Sequence, residues 1–376
     1  MSKIEQKIPE GWSVKKILDV CPLQRGFDLP EQNIVAGNYP IVYSNGIKGT
    51  HNEYKAKAPG VVTGRSGTIG KVTYVEKDYW PHNTSLWVTD FKGNNPKFIF
   101  YKIQNLKFAK FNSGSGVPTL NRNDVHIEKI LLPPLQEQEK IADILGTWDE
   151  AIEKLSSLIE HKKLLKKGLM QKLLTGKTRL KGFTQPWKEV KLGEILVERN
   201  EYTTQNNQVT ILTSSRKGIF RQEDYFDKQV ASENNIGYKI LHKYDFTYRA
   251  MTDDDVYCFN QLTNEDMGAV SPAYSVFYCE NVPNLLIKEI LNSKCFGHQL
   301  LKISQGGTRK SLKFSALKTL KIYIPSDINE QQVIAVVLST ADDEISLLNQ
   351  KLEALKEQKK GLMQQLLTGQ TRVKVN

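Results

Sequence analysis

The sequence predicts an α+β chain: two domains of twisted antiparallel sheet with short helices, separated by two long antiparallel coiled-coil helices with pseudo-twofold symmetry. Three observations carry this expectation. A helical stretch occurs twice, 193 residues apart. One apolar heptad runs through both copies. The segments between them are short runs of β-branched and aromatic residues broken by glycine.

The repeat is Gly168-Leu169-Met170-Gln171-Lys172-Leu173-Leu174-Thr175-Gly176-Lys177-Thr178-Arg179, which returns as Gly361-Leu362-Met363-Gln364-Gln365-Leu366-Leu367-Thr368-Gly369-Gln370-Thr371-Arg372. The same offset, without a gap, carries Glu137-Gln138 onto Glu330-Gln331, Ile141-Ala142 onto Ile334-Ala335 and Asp149 onto Asp342. A repeat of roughly 45 residues with a long non-repeating insert is not a solenoid array. It is a duplicated module, each copy carrying a variable domain and a constant helix. The boundaries read as 1–135 for the first domain, 136–180 for its helix, 181–328 for the second domain and 329–376 for the second helix.

In the first copy Leu145, Trp148, Ile152, Leu155, Ile159, Lys162, Lys166, Leu169 and Leu173 step by threes and fours. In the second, Leu338, Ala341, Ile345, Leu348, Leu352, Leu355, Lys359, Leu362 and Leu366 do the same. An apolar period of about 3.5 sustained over several heptads is a coiled-coil pattern. Each helix should run about 35–40 residues, roughly 55–60 Å at 1.5 Å per residue. Thr175-Gly176 and Thr368-Gly369 supply the terminating glycines. A narrow stripe needs a partner, and the other copy is the first choice. Like helices joined by a globular insert pair antiparallel, with the two domains at opposite ends. The stripe also suits two other arrangements, each helix packed on its own domain or the seam driving dimerisation. Lys162, Lys166 and Lys359 weaken a pure zipper and are candidate docking points for an acidic partner surface.

At 376 residues the chain has room for two or three domains with real cores. No N-terminal run resembles a signal peptide and no stretch is apolar enough to span a bilayer, so a cytoplasmic protein is expected. Cys21, Cys258, Cys279 and Cys295 form no CxxC pair, which suits reduced thiols and argues against zinc. The formal charge of +11 is uneven. Residues 1–135 hold eighteen Lys/Arg against eleven Asp/Glu, and residues 136–191 hold twelve against eight. Residues 192–328 balance sixteen with sixteen, and residues 329–376 six with six. Such a basic excess points to an anionic partner, nucleic acid first. The neutral second insert must place its cations locally, with Asp253-Asp254-Asp255 facing away from phosphates.

Taken in order, Trp12-Ser13-Val14-Lys15-Lys16-Ile17-Leu18 opens the first module as Trp187-Lys188-Glu189-Val190-Lys191-Leu192 opens the second. Each predicts a short strand and a helical turn, with Trp12 and Trp187 in the core rather than on a ligand. Tyr39–Tyr43 and Gly60–Val75 follow as short strands, with Asn45-Gly46 and Ser66-Gly67 as turns. The second insert offers Val209–Thr213, Tyr238–Leu241, Asp245–Arg249 and Tyr274–Tyr278. The modules also close alike. Gly114-Ser115-Gly116-Val117-Pro118-Thr119-Leu120 leads to Pro133-Pro134, and Gly306-Gly307-Thr308-Arg309-Lys310-Ser311-Leu312 leads to Pro325, thirteen steps from leucine to proline in each. The prolines mark the entries to the long helices.

Catalytic patterns are missing. Five residues separate Gly64 from Gly70 and Val72 follows Lys71, which is not a P-loop. No GxGxxG occurs. Leu132-Pro133-Pro134-Leu135 lacks the amide of an Asn-Pro-Pro-Tyr aminomethyltransferase motif. Glu53-Tyr54-Lys55 is half of a nuclease triad and reads as a solvated strand end. The six histidines do not cluster at metal-ligand spacing. No catalytic residue and no metal ligand is assigned.

Reading DNA needs forked donors and amides on loops, with cations nearby for phosphates. In the first insert the candidates are Ser44, Asn45, Lys48, His51, Asn52, Arg65, Ser66, Lys71, Tyr74, His82, Asn83 and Thr84. Arg65, flanked by glycine and serine, could fork onto guanine while Lys48 and Lys71 meet phosphates. Asn45 and Asn52 serve equally well as plain turn formers. In the second insert the candidates are Ser214, Ser215, Arg216, Lys217, Arg249, Thr252, Arg309 and Lys310. Lys162, Lys163, Lys166 and Lys167 read mainly as a solvated helix face.

This layout resembles the specificity subunit of type I restriction–modification enzymes. The carrying residues are Pro133-Pro134-Leu135-Gln136-Glu137-Gln138-Glu139-Lys140-Ile141-Ala142, both GLMQ-x-LLTG-x-TR stretches, Ser44-Asn45-Gly46-Ile47 and Gly64–Val72. The resemblance covers nearly the whole chain and is looser in the second insert. It implies two target-recognition domains, each reading half of a split, asymmetric duplex DNA sequence, and constant helices acting as the ruler between them. Half-sites about one helical turn apart suit such a two-fold layout. It further implies no activity of its own and no cofactor. Two methylation subunits would bind S-adenosylmethionine and methylate adenine N6; restriction subunits, where present, would use ATP and Mg. Two other readings compete: a fragment of a single-chain nuclease–methyltransferase, and an orphan scaffold that no longer reads a target.

Overall fold

The computed structural model describes residues 8–111, 117–226, 234–306 and 310–375. The chain forms two compact units, one of residues 1–157 with 350–376 and the other of residues 158–349. Helices Leu135–Leu173 and Ile328–Thr368 each contribute to both. The first unit therefore holds the start of one long helix and the end of the other, and the second unit the converse.

In the first unit the opening strand Ser13–Lys16 pairs antiparallel with the closing strand Lys129–Leu132, Ser13 opposite Leu132. A four-stranded antiparallel sheet runs in the order Leu23–Arg25, Ser85–Val88, Gly60–Gly64, Val72–Val75. Tyr39–Tyr43 pairs antiparallel with Gly46–His51 and parallel with Trp80–Pro81. Helix Pro96–Gln104 starts where Asn95 accepts a hydrogen bond from the Phe98 amide and proline takes the first turn. Its buried Phe98, Ile99, Tyr101 and Ile103 meet Ile17, Val61, Leu86, Ile141, Leu145, Leu366 and Leu367 in one core.

The second unit repeats the frame. Trp187–Lys191 pairs with Lys321–Pro325, Trp187 opposite Pro325. Its four-stranded sheet runs Leu196–Glu198, Tyr274–Cys279, Phe246–Arg249, Asn260–Gln261. Helices Asn284–Leu291 and Lys294–Ile303 cover a core of Phe246, Tyr248, Phe259, Phe277, Ile287 and Phe314, joined by Leu173, Ile334 and Leu338 of the long helices. Each module thus begins with the predicted strand and helical turn, Ile17–Val20 in one and Leu192–Glu194 in the other. All four cysteines are free, and burial lifts the Cys21 and Cys279 thiols to about 12. Among the described residues no helix is long and apolar enough to cross a membrane.

Within each unit the paired segments of the long helices run antiparallel. In the first, Glu137 meets Arg372 and Asp149 meets Lys359. In the second, Glu330 meets Arg179 and Asp342 meets Lys166. Twelve steps forward along one helix segment of each pair match thirteen steps backward along the other. The pairs are related by the sequence repeat itself.

Every apolar seam residue is covered. Leu145, Ile159, Leu173, Leu338, Leu352 and Leu366 are buried; Trp148, Ile152, Leu155, Leu169, Ile345, Leu348, Leu355 and Leu362 are half-buried. The seam lysines are occupied inside the units rather than held out for a partner. Lys162 pairs with Glu344 at 2.6 Å, Lys166 with Asp342 at 2.6 Å and Glu289 at 2.9 Å, and Lys359 with Asp149. A charged pair at one seam position specifies register more than it adds stability.

Candidate nucleic-acid interface

In the first unit a close backbone approach creates the candidate surface. A Cβ on Gly64 would lie 1.7 Å from the Thr68 carbonyl oxygen and 2.8 Å from that of Ser44, so only glycine lets the 64–70 loop fold against Ser44. The Arg65 and Ser66 amides then donate to the Thr84 carbonyl at 2.9 and 3.1 Å. The Ser44 amide donates to Thr84 Oγ1 at 3.3 Å, and His82 Nδ1 lies 3.0 Å from the same oxygen. Arg65 Nη1 reaches the Asn83 carbonyl at 3.4 Å, and Lys71 donates to the Asn45 carbonyl.

Ser44, Asn45, Arg65, Ser66, Lys71, His82, Asn83 and Thr84 are thus brought together from three separate stretches of chain. Lys48 is exposed on the hairpin strand Gly46–His51, and Asn52 is exposed just beyond it. The Tyr43 ring packs on His82 with centroids 4.2 Å apart. Burial lowers the His82 imidazole below its ordinary value, with a backbone hydrogen bond at Leu29 and the Asp28 charge opposing. That favours the neutral ring, a donor on one nitrogen and an acceptor on the other.

His51 and Tyr74 lie apart from this cluster. His51 is buried, takes the Val35 amide on Nδ1 at 3.2 Å and meets Trp80 edge-on at 5.1 Å. Tyr74 packs against Phe100 at 5.7 Å. Both side chains are used within the domain. Asp28 was not legible as a member: it accepts from Asn83 and from Arg25 at 2.8 Å, across 55 residues in the first case.

In the second unit Ser214, Ser215, Arg216, Arg249 and Thr252 line one cavity of about 140 Å³, together with Tyr257 and Cys258. Hairpin Leu212–Ser215/Gly218–Arg221 holds Arg216 and Lys217 at its two-residue tip, with Gly218 at φ +125°. Both tip residues are exposed. Thr252 stands opposite Lys310 in a short strand pair. Asn260, absent from the candidate set, braces the hairpin by donating to Ser214 Oγ at 2.8 Å and the Ser215 carbonyl at 2.7 Å. Arg309 lies outside the described residues.

The acidic run lies beside the candidate cations. Asp253 and Asp254 line the same cavity, Asp254 pairs with Arg216, and Asp255 pairs with Lys310 at 2.9 Å. Asp254 also accepts from Thr252 Oγ1 at 2.7 Å, and all three aspartates stay exposed.

Each unit also holds the same clasp. Glu137, 1% exposed, receives the Trp12 indole N–H at 2.9 Å and a two-pronged contact from Arg372 at 2.8 and 2.9 Å. Glu330, fully buried, receives Trp187 at 3.5 Å and Arg179 through two bonds of 2.7 Å. The tryptophans are therefore core residues with one polar duty, as bidentate Arg–carboxylate geometry completes a buried site. Each clasp joins the head of one repeat copy to the tail of the other.

Comparison with known proteins agrees with this architecture. A family model described as "Type I restriction modification DNA specificity domain" matches residues 9–161 and 175–357. The chain is 26% identical over 311 residues to the type I restriction enzyme MjaVIII specificity subunit of Methanocaldococcus jannaschii, covering 74% of this chain and 70% of that protein. It is 24% identical to the putative MjaX specificity subunit of the same organism, over 98% of this chain and 95% of the relative. The crystal structure of a type I restriction-modification S subunit from M. genitalium has the same fold, with a TM-score of 0.63 at 15% identity, covering 97% of this chain and 98% of that one. With two matched segments that together span most of its length, the chain belongs to the type I restriction modification DNA specificity domain family.

Proposed function

We propose that this chain is the DNA specificity subunit of a type I restriction–modification complex, with one recognition domain per unit and each domain reading one half of a split, asymmetric duplex target. The observation that carries the reading is a contrast. The clasp and the seam ion pair are repeated almost residue for residue in the two units, whereas the loop clusters on them share no sequence pattern. A constant frame carrying two unlike donor surfaces suits a bipartite site whose halves differ. In the first domain Ser44, Asn45, Arg65, Ser66, His82 and Asn83 are the proposed base readers, with Lys48 and Lys71 for phosphates. In the second, Ser214, Ser215, Arg216, Lys217, Arg249, Thr252 and Lys310 take these roles.

The long helices fix the spacing between half-sites and present the surface that holds two methylation subunits, and restriction subunits where the system has them. Catalysis, with S-adenosylmethionine, ATP and Mg, belongs to those partners, and the complex works in the cytoplasm. The test is co-expression with the cognate modification subunit, followed by sequencing of host DNA for N6-methyladenine. A bipartite motif methylated on both strands is the expected result. A stable complex that methylates nothing would leave a scaffold without target reading, contrary to this proposal.

A further inference from the structure

We propose that Asp254 and Asp255 are selectivity residues of the second recognition domain, holding its cations in ion pairs so that DNA of arbitrary sequence is bound weakly there. The inference rests on the DNA-reading function proposed above and deepens it.

Non-specific binding comes almost wholly from cations meeting phosphates. The first domain has such cations to spare. Among the described residues Lys48, Arg65 and Lys71 have no carboxylate partner, and residues 1–135 carry eighteen cations against eleven anions. The second domain is neutral, and two of its proposed DNA cations are already matched: Arg216 by Asp254 and Lys310 by Asp255.

Both pairs lie at the surface, and their carboxylates are held by the local backbone and by Thr252. Asp254 is fixed by the Thr252 hydroxyl at 2.7 Å, and its carboxylate also faces the Val256 amide at 3.4 Å. Asp255 sits at φ +64°, a conformation that a non-glycine residue adopts at a cost, and this turn delivers the two carboxylates to opposite cations. A phosphate approaching Arg216 or Lys310 must displace a carboxylate already in place. A matching base step offers compensation that a phosphate lacks, because the exocyclic amine of cytosine or adenine is a donor to the released carboxylate. The arrangement therefore discriminates by rejecting the wrong sequence, the repulsive half of specificity.

The test uses the assembled specificity–modification complex. Equilibrium binding is measured on a duplex carrying the methylated motif and on one without it, across a salt series. Asp254→Asn and Asp255→Asn keep size and most hydrogen bonding while removing charge. Glu265→Gln is the control for each single substitution: it frees Arg221 from a pair by the loss of one negative charge, away from the cavity lining.

The double Asp variant is expected to bind the non-specific duplex about tenfold more tightly at low salt. Its log K against log salt slope should steepen by about 0.9 for each cation that gains a phosphate. The ratio of specific to non-specific affinity should fall accordingly. A double variant that behaves like Glu265→Gln overturns the inference. So does one that loses motif binding without gaining non-specific binding, since the carboxylates would then be base acceptors or loop supports only. A wild-type complex that binds neither duplex would instead remove the DNA-reading function, and the inference with it.

Discussion

The two units solve one structural problem identically and one recognition problem differently. Their frames match down to single residues: Trp12, Glu137 and Arg372 in one, Trp187, Glu330 and Arg179 in the other. Their surfaces do not. The first gathers an arginine, a lysine and amides around a glycine-folded loop, with few acids nearby. The second interleaves Arg216, Arg249 and Lys310 with Asp253, Asp254 and Asp255. The repeat covers what holds the helices and does not extend to the loop clusters. The lesson is that equal numbers of cations and acids along a chain can mean paired charges on one surface, as at Arg216 and Lys310.

The matched frame can be broken at matched positions. Ile159 and Leu352 occupy the same place in the repeat, 2% and 8% exposed. Placing aspartate at either buries an unpaired charge in the seam, and thermal unfolding of the purified chain should show losses of about 4 kcal/mol or more in both cases. Comparable stability to wild type would contradict the paired-helix frame.

The clasps sharpen the comparison, because they differ in depth. Arg179 is 29% exposed over a fully buried Glu330, whereas Arg372 is 43% exposed over Glu137. Arg179→Ala leaves a carboxylate in the core with only the Trp187 N–H and should cost about 3 kcal/mol. Arg372→Ala should cost less, since water reaches its site more easily. Equal losses in urea unfolding would show that depth does not set the strength of the clasp.

A third contrast is titratable. Lys102 is buried and donates to the Leu367 carbonyl at 2.6 Å, and burial lowers its pKa to about 8. The corresponding helix of the second unit instead buries Glu289 against Lys166. The folded Lys102 gives up its proton before the unfolded one, so its burial penalty is fully present below pH 8. It is relieved as pH rises toward the ordinary lysine value. Relative to Lys102→Met, the wild type should gain stability by about 2 kcal/mol between pH 7 and 9.5, at 1.36 kcal/mol per pH unit. A pH-independent difference would place the lysine in water.

The smallest expected effect separates the helix starts. Asn95→Ala removes a side-chain cap and should cost about 1 kcal/mol. Helix Asn284–Leu291 begins after Pro283 with no side-chain cap, so Asn284→Ala should leave stability nearly unchanged.

What was legible in the sequence was periodic or repeated. The heptad fixed both long helices and the buried identity of Leu145, Ile159, Leu352 and Leu366, because a seam constrains many residues at once. The clusters were legible as composition, glycine and serine beside arginine. Their membership was not. His51 reads like a loop donor but packs on Trp80, and Asp28 and Asn260 enter through contacts 55 and 46 residues apart. The ion pairs of the acidic run were not legible for a related reason. Its pairing with Arg216 and Lys310 depends on one left-handed residue, Asp255, in a position that sequence does not mark. The seam lysines were misjudged because their partners Asp149 and Asp342 belong to the opposite copy.

The central claim is that each unit reads its own half of a divided target. It is tested most directly by the methylation motif of a complex carrying Ser44→Ala, Asn45→Ala and Arg65→Ala together, set beside that of the wild type. The account predicts that one half of the motif relaxes while the other half and the spacer length are unchanged. Relaxation of both halves, or a motif identical to the wild type's, would contradict it.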